Sequence, residues 1–399
     1  MSAHKTYETN AYARELKTSI LKAFENKGRY CVVLEDSILF PEGGGQPSDR
    51  GRIGNANVLD VIHGHDGDTR EDIHIVDSIL EPGPTVVRLD WERRFDHMQQ
   101  HTGQHLLTAV AQTQFGWATT AFHLGADICD IELDTPQITQ RQRNELEESV
   151  IVEIIAARNI SASWVTQDEY KTLNVRSRAL PDGHQGDVRL VEIQGLDVNT
   201  CGGTHLTSTA ELECLKLLNT EPIRGGTRLF FIFGKRLRDR MEAHEQRGHQ
   251  LRTILGHPDD TLVASVEQHI AREKDLERSL RHTEGELAAL YAKFMAAESG
   301  TLAVRHFENK DTGFLQKIIR PLLELDNNRI VFVSSEKDGN AFFNLAAGSN
   351  CEADIPKLGR EIASVLNGKG GGSGRQFQGK FKDLSKLTEA VALLRAGVK

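Results

Sequence analysis

Three histidines, His97, His101 and His105, stand four residues apart in a stretch whose apolar positions keep a helical rhythm. Residues four apart share one helix face, so two neighbouring imidazoles can converge on a single ion. The spacing leaves both pairs, 97/101 and 101/105, open. Much later comes Cys201-Gly202-Gly203-Thr204-His205, a thiolate and an imidazole at the same interval in a glycine-rich turn. Two helix histidines joined by this Cys and His make a set of three nitrogens and one sulfur, which suits Zn²⁺. A fold that uses both motifs must bring distant parts of the chain to one point. Residue 102 is Thr. His101-Thr102-Gly103-Gln104-His105 therefore lacks the Glu that an HExxH zinc protease uses as general base, which disfavours peptide hydrolysis of that type.

Composition narrows the class. The chain has 399 residues, with 48 Lys+Arg against 57 Asp+Glu and a net charge of −9. The acidity argues against a protein coated with nucleic acid and says nothing about local patches. An apolar content of 39%, before its 35 glycines are added, excludes a wholly disordered chain. No apolar run approaches the roughly 18 residues that span a bilayer. Met1 to Arg14 has no signal-peptide core, so no membrane partner is expected. The cysteines at 31, 129, 201, 214 and 351 are odd in number and form no CxxC pair, which fits a reducing cytoplasm better than a disulfide scaffold.

An α+β chain of four parts is expected. Residues 1–90 are short apolar runs cut by Gly, Pro and Asp: Tyr30 to Leu34, Ile73 to Val76 and Thr85 to Leu89 read as strands. Gly43-Gly44-Gly45, Asp66-Gly67-Asp68 and Pro82-Gly83-Pro84 read as turns, and a small β-barrel follows. Residues 91–235 mix helices over Arg94 to Phe115 and Leu146 to Ala157 with strands over Val188 to Ile193 and Thr227 to Phe233. Residues 236–300 are charged and helical, with an apolar beat of Val266, Ile270, Leu276, Leu280, Leu287, Leu290 and Phe294. The break at Gly256-His257-Pro258 predicts two antiparallel helices, with Asp259 or Asp260 capping the second. Residues 301–399 read as a small α/β unit with a strand over Arg329 to Ser334 and a helix marked by Ile355, Leu358, Ile362, Val365 and Leu366.

Two glycine-rich runs stand apart. Phe40 to Gly51 (FPEGGGQPSDRG) lets backbone N–H groups approach a ligand closely, without the pattern of a P-loop; a tight turn is the competing reading. Gly368 to Arg375 is flanked by Lys380, Lys382 and Lys386, and reads either as a flexible loop or as a phosphate contact. Residues 301–399 carry 15 Lys+Arg against 11 Asp+Glu, whereas residues 1–300 carry 33 against 46.

His101-Thr-Gly-Gln-His105-Leu-Leu with Cys201-Gly-Gly-Thr-His205 resembles the editing domain of alanyl-tRNA synthetase and its free-standing relatives, the AlaX trans-editing proteins in their long form. Phe40 to Gly51 and Val188 to Gly195 support the same likeness, and the helical region with Gly368 to Arg375 resembles the synthetase's C-terminal part, including its DHH-associated (DHHA1) domain. The resemblance implies an α+β editing domain with zinc on His101, His105, Cys201 and His205, leaving His97 as a neighbour. It implies hydrolysis of serine, and of glycine, wrongly attached to alanine tRNA. It assigns tRNA contacts to the C-terminal unit, with Lys369, Arg375, Lys380 and Lys382 as candidates, and admits a homodimer through that region. An editing-type domain starts near residue 1 and leaves no room for adenylate chemistry, so ATP is not implied. One departure stands out. The synthetase has a Gln followed by Lys-Gly after the HxxxH helix, and this chain has Thr120-Ala121-Phe122-His123-Leu124-Gly125.

The implied substrate is an amino-acid ester on the terminal adenosine of tRNA. Four protein ligands close a zinc site, whereas a catalytic zinc keeps one position open. Either Cys201 yields to substrate, or zinc shapes the pocket and orients the ester; the second is favoured. A side chain or the free ribose hydroxyl then activates the water, with His123 and Asp197 as candidates. Gly43, Gly44, Gly45, Gln46, Ser48 and Asp49 are the candidate substrate contacts. A pocket that bonds a serine hydroxyl is left with unpaired groups when alanine enters. The competing classes are a zinc-stabilised RNA-binding protein without catalysis and a zinc hydrolase of another small ester or amide.

Overall fold

Glycine and proline cut the first ninety residues into short strands. A four-residue helix α1 (Thr6–Thr9) leads into β1 (Glu15–Asn26), β2 (Arg29–Leu34), β3 (Gly51–Ile53), β4 (Ala56–Asp66), β5 (Thr69–Val76) and β6 (Gly83–Leu89). These close into a six-stranded barrel in the order β1-β2-β5-β4-β3-β6, with β6 returning to β1. Alternation sends Ile20, Val32, Leu34, Ile53, Val58, Val61, Val76 and Val87 inward, where Ile38 and Leu39 complete the core. Gly51 is required at the seam: a Cβ there would lie 2.1 Å from the Arg88 carbonyl oxygen. This computed structural model describes residues 4–66, 69–176, 186–382 and 384–398, so the tip of the turn expected at Asp66-Gly67-Asp68 lies outside the described residues. Gly83 and Pro84, expected in a turn, already belong to β6.

The chain divides into two compact units, Met1–His249 and Gln250–Lys399. In the first, the barrel is followed by α2 (Trp91–Phe115), β7 (Thr119–His123), β8 (Cys129–Leu133), α3 (Gln140–Ile155), β9 (Ile160–Val165), α4 (Gln167–Thr172), β10 (Val188–Ile193), β11 (Asp197–Thr200), β12 (Leu215–Ile223), β13 (Gly226–Phe233) and the start of α5 (Gly234–Leu255). They form a three-stranded sheet β11-β10-β9 and a four-stranded sheet β12-β13-β8-β7. Asp90 caps α2 by accepting from Arg93 N–H, and Gly116 ends it in the left-handed conformation, φ 70°. The helix is buried along most of its length because it packs against the four-stranded sheet and α3; Met98, Leu106, Leu107 and Val110 join the core with Ile131, Leu229 and Phe231. α3 starts earlier than its apolar beat suggests, because Thr139 and Gln142 form a capping box ahead of Leu146.

In the second unit α6 (Asp259–Ala297) is followed by β14 (Leu302–Glu308), α7 (Thr312–Leu325), β15 (Ile330–Lys337), β16 (Asn340–Ala347), α8 (Ile355–Val365), β17 (Lys369–Ser373), β18 (Gln376–Phe381) and α9 (Leu387–Gly397). The sheet runs β14-β15-β16-β18-β17. The apolar beat from Val266 to Phe294 is exposed, and α6 instead buries Ala288, Ala292 and Met295 beside Phe314 and Ile318 of α7. Small alanines let the second helix approach closely, so they, rather than the larger leucines, form the packed stripe. The glycine run at 368–375 is an edge strand and turn: β17 pairs with β18 and Gly374 turns with φ 59°. Among the described residues no helix is long and apolar enough to cross a membrane.

Candidate metal centre

His101, His105, Cys201 and His205 meet at one point, their ligand atoms all within 4.8 Å of one another. α2 supplies the first two from one face, and the turn after β11 supplies the others. Cys201 Sγ lies 3.4 Å from His101 Nε2 and 3.2 Å from His205 Nε2. The turn can close this tightly only because residue 203 is Gly: a Cβ there would stand 2.4 Å from His101 Cε1. His97 sits one turn earlier on the helix, buried, with its Nδ1 unpartnered and outside the cluster.

Neighbouring groups orient the ligands. His101 Nδ1–H donates to Gln46 Oε1 at 2.9 Å, which leaves Nε2 for an ion. His205 Nδ1–H donates to Thr102 Oγ1 at 3.1 Å, so the residue that excludes the protease motif holds the last imidazole. Gln46 also accepts from Thr204 N–H at 3.0 Å and donates to Thr204 Oγ1 at 2.8 Å. Arg189 Nη1 donates to the carbonyls of Cys201 and Gly203 at 2.7 and 2.9 Å, clamping the turn from behind. Outer partners of this kind set tautomer and ring orientation at metal sites.

Burial sets the protonation states. Loss of water pushes His101 down to about 3, and pushes His105 and His205 well below the ordinary imidazole value. The three rings are therefore neutral, the form that ligates. The same burial raises the Cys201 thiol, against the pull of the Gly203 N–H and the Arg189 charge. A buried soft donor and three neutral imidazoles fit a zinc ion, which would hold that sulfur as thiolate.

His101, His105 and Cys201 form one wall of a 490 Å³ cavity lined also by Gly44, Gly45, Gln104, Thr108, Phe122 and Arg176, with His205 behind it. Of the loop residues expected to touch substrate, Gly44 and Gly45 reach the cavity, while Gly43 closes the turn by exchanging backbone bonds with Gln46. Gln46 is buried behind the ligands. Ser48 Oγ donates to Asp60 at 2.6 Å. Asp49 forms a fully buried ion pair with Arg94, which also donates to the Ala11 and Ile38 carbonyls. Ser48 and Asp49 thus bolt the loop down rather than line the pocket.

Neither candidate base faces the cavity as a free group. His123 is 59% exposed and pairs with Asp130 at 2.9 Å. With Asp130 and Glu132 it makes a second three-residue cluster, but Arg228 already neutralises both carboxylates. Asp197 is nearly buried and gives both oxygens to Arg176, at 2.8 and 2.6 Å. Arg176 itself lines the cavity and went unnoticed in the sequence, as did Gln104, which lies inside the HxxxH motif one residue before His105. Gln104 Nε2 donates to Thr108 Oγ1 at 2.8 Å, and its buried Oε1 has no partner.

In the C-terminal unit Lys369 and Lys382 are exposed, and Lys380 Nζ lies 5.3 Å from the centre of the Phe342 ring. Arg375 is exposed, and its Nη1 donates to the Gly348 and Cys351 carbonyls at 2.6 and 2.8 Å, bracing the turn.

The sequence of residues 188–230, from β10 into β13, matches the model of the threonyl and alanyl tRNA synthetase second additional domain. The alanyl-tRNA editing protein Aarsd1 of Danio rerio is 37% identical over 382 residues, covering 93% of this chain and 90% of that protein. The alanyl-tRNA editing protein AlaX-L of Pyrococcus horikoshii is 27% identical, covering 98% of this chain and 97% of its own. The alanine–tRNA ligase of Pyrobaculum neutrophilum is 31% identical over 96% of this chain and 43% of the ligase. Among solved structures, the C-Ala domain from Aquifex aeolicus alanyl-tRNA synthetase is 26% identical, covering 25% of this chain and 96% of its own, at a TM-score of 0.24, too low to support a fold assignment.

Proposed function

The chain belongs to the alanyl-tRNA editing protein family, and on that premise we propose that it hydrolyses the ester joining a wrongly attached amino acid to alanine tRNA, serine first and glycine second. The observation that carries this reading is the convergence of His101, His105, Cys201 and His205, the first three of them on the wall of a cavity large enough for an aminoacyl adenosine. These four residues would hold Zn²⁺, which, closed in by four protein ligands, would shape the pocket and orient the ester.

The chain's own residues do the rest. Gln46 and Thr102 keep His101 and His205 aligned. Arg176, set by Asp197, offers a positive charge for the phosphate that precedes the terminal adenosine. No Asp or Glu is among the described residues lining the cavity, and its imidazoles belong to the cluster. The free ribose hydroxyl beside the ester therefore takes the proton-relay role in place of His123 or Asp197.

Discrimination falls to Gln104. Its buried Oε1 lacks a donor, and a serine hydroxyl supplies one. Alanine leaves the acceptor unpaired, a cost of about 1–3 kcal/mol. Glycine, like alanine, brings no donor to this amide. The expected cytoplasmic setting agrees with the five unpaired cysteines. The division into a barrel (1–90), editing domain (91–235), helical segment (236–300) and tRNA-holding domain (301–399) completes the reading, with Lys369, Lys380 and Lys382 as the basic contacts of the last.

The test is release of labelled serine from Ser-tRNA(Ala), with Ala-tRNA(Ala) as control. Fast loss of serine with alanine spared is expected, and Gln104→Leu should narrow the gap between the two. Absence of release by metal-loaded protein overturns the reading.

A further inference from the structure

The ester chemistry leaves one face of the barrel unused. β3 and β6 pair so that Arg52 lies directly opposite Arg88. Like charges facing each other across a ladder destabilise it. Arg50 precedes Arg52 by two residues and so falls on the same side of the extended chain. All three are exposed, and with Asn57 and Leu59 they line a groove of 590 Å³. Arg93 adds a fourth guanidinium close by, held by two bonds to the Ser48 carbonyl at 3.1 and 2.9 Å.

The chain answers these charges only in part. Glu15 pairs with Arg88 at 3.0 Å, but both side chains are more than half exposed, a setting in which such a pair contributes little. Asp90 is engaged as the cap of α2. Arg52 gives one bond to the Asn55 carbonyl at 3.2 Å. Among the described residues the Arg50 side chain has no hydrogen bond or ion pair. A protein with a net charge of −9 has thus gathered three guanidinium groups on this ladder against two carboxylates, Glu15 and the groove-lining Asp90. The pattern suits a polyanion: Arg50 and Arg52 stand about 6.6 Å apart along the strand, and Arg52 and Arg88 about 5 Å apart across it, a comb of charges for successive phosphates.

Position links the groove to the cavity. Gly45 lines the cavity and Arg50 follows five residues later. Five residues span at most about 18 Å, within reach of a short single-stranded nucleic-acid end. We propose that the Arg50–Arg52–Arg88 groove grips the phosphate backbone of the tRNA acceptor arm while its 3′ end enters the metal-centred cavity. This rests on the deacylase reading and adds a docking surface in the N-terminal unit to the C-terminal lysines.

The experiment uses full-length protein with Arg50→Gln, Arg52→Gln and Arg88→Gln, singly and combined. Binding of uncharged alanine tRNA is followed between 50 and 200 mM KCl, and serine release is measured from Ser-tRNA(Ala) and from a seryl-adenosine ester. Each lost phosphate contact should lower the slope of log affinity against log salt by about 1. The triple variant should bind at least about tenfold more weakly, while release from the small ester stays within about twofold. Arg→Lys replacements should restore the slope, which separates charge from folding. Weakening should be equal for an unrelated tRNA, because backbone contacts read no sequence. A slope equal to that of the unaltered protein, or weakening confined to alanine tRNA, overturns the proposal. Failure of the deacylase reading is distinct: no serine is released at all, while the salt slope still reports on the groove.

Discussion

Gln46 Oε1 lies 2.9 Å from His101 Nδ1, which places a barrel-loop amide behind the first imidazole of the cluster. The same amide bonds twice to Thr204. One side chain therefore ties the glycine-rich loop, the HxxxH helix and the CGGTH turn together. Gln46→Ala should lower zinc affinity by about 10- to 100-fold, the usual effect of losing an outer partner. Competition with a chelator of known affinity measures it; unchanged affinity means that the imidazole is oriented by packing alone.

The Asp49–Arg94 pair should matter for stability more than for chemistry. Both side chains are fully buried. Asp49→Ala leaves Arg94 with an uncompensated charge and should cost about 3–5 kcal/mol. Trp91, Trp117 and Trp164 all lie in the N-terminal unit, so their fluorescence in a urea titration reports its unfolding. Replacing both members with apolar residues of similar size should cost less than removing Asp49 alone.

Asp197 acts through Arg176. Asp197→Asn keeps an acceptor but removes the charge that aligns the guanidinium. A fall of about tenfold in kcat/KM for Ser-tRNA(Ala) is expected, the scale of one charge-assisted bond becoming neutral. Bound zinc should stay at one equivalent. Loss of zinc in this variant would show that Asp197 supports the cluster instead of the substrate.

His74 makes stability depend on pH. It is buried in the barrel wall, 2.9 Å from Ser37 Oγ, and burial holds it near 4 against about 6.5 in the unfolded chain. The unfolded state binds the proton first. The stabilisation is complete above pH 6.5 and is lost as pH falls towards 4, amounting to about 3 kcal/mol. Urea midpoints of the N-terminal unit at pH 7.5 and 4.5 should differ less in His74→Gln than in the unaltered protein. Equal pH dependence in the two would place the titration on other groups.

These relationships mark what could be read from residues alone. HxxxH and CxxxH were legible because their spacing is local and a helix or tight turn makes it geometric. Asp49 was misplaced because consecutive residues of an extended loop point in different directions, and only the fold shows that Gly44 and Gly45 face the cavity while Asp49 faces Arg94. Arg176 stayed hidden because nothing nearby in sequence distinguishes it; its partner Asp197 lies on β11, beyond the intervening strand β10. β17 was obscured by glycine's low strand propensity, although close packing against β18 demands it: a Cβ at Gly372 would meet the Gln376 carbonyl at 2.1 Å. In α6 two apolar stripes run side by side, and periodicity does not tell which one a neighbouring helix will choose.

The central claim is that ester hydrolysis depends on an ion held by His101, His105, Cys201 and His205. The most direct measurement is serine release from Ser-tRNA(Ala) by one preparation in three states: as purified, stripped with a chelator, and reloaded with zinc, with His105→Ala alongside and Ala-tRNA(Ala) as control. The account predicts release in the first and third states only, alanine spared throughout, and neither activity nor bound zinc in the variant. Equal release by the stripped protein, or equal loss of alanine and serine, would contradict it.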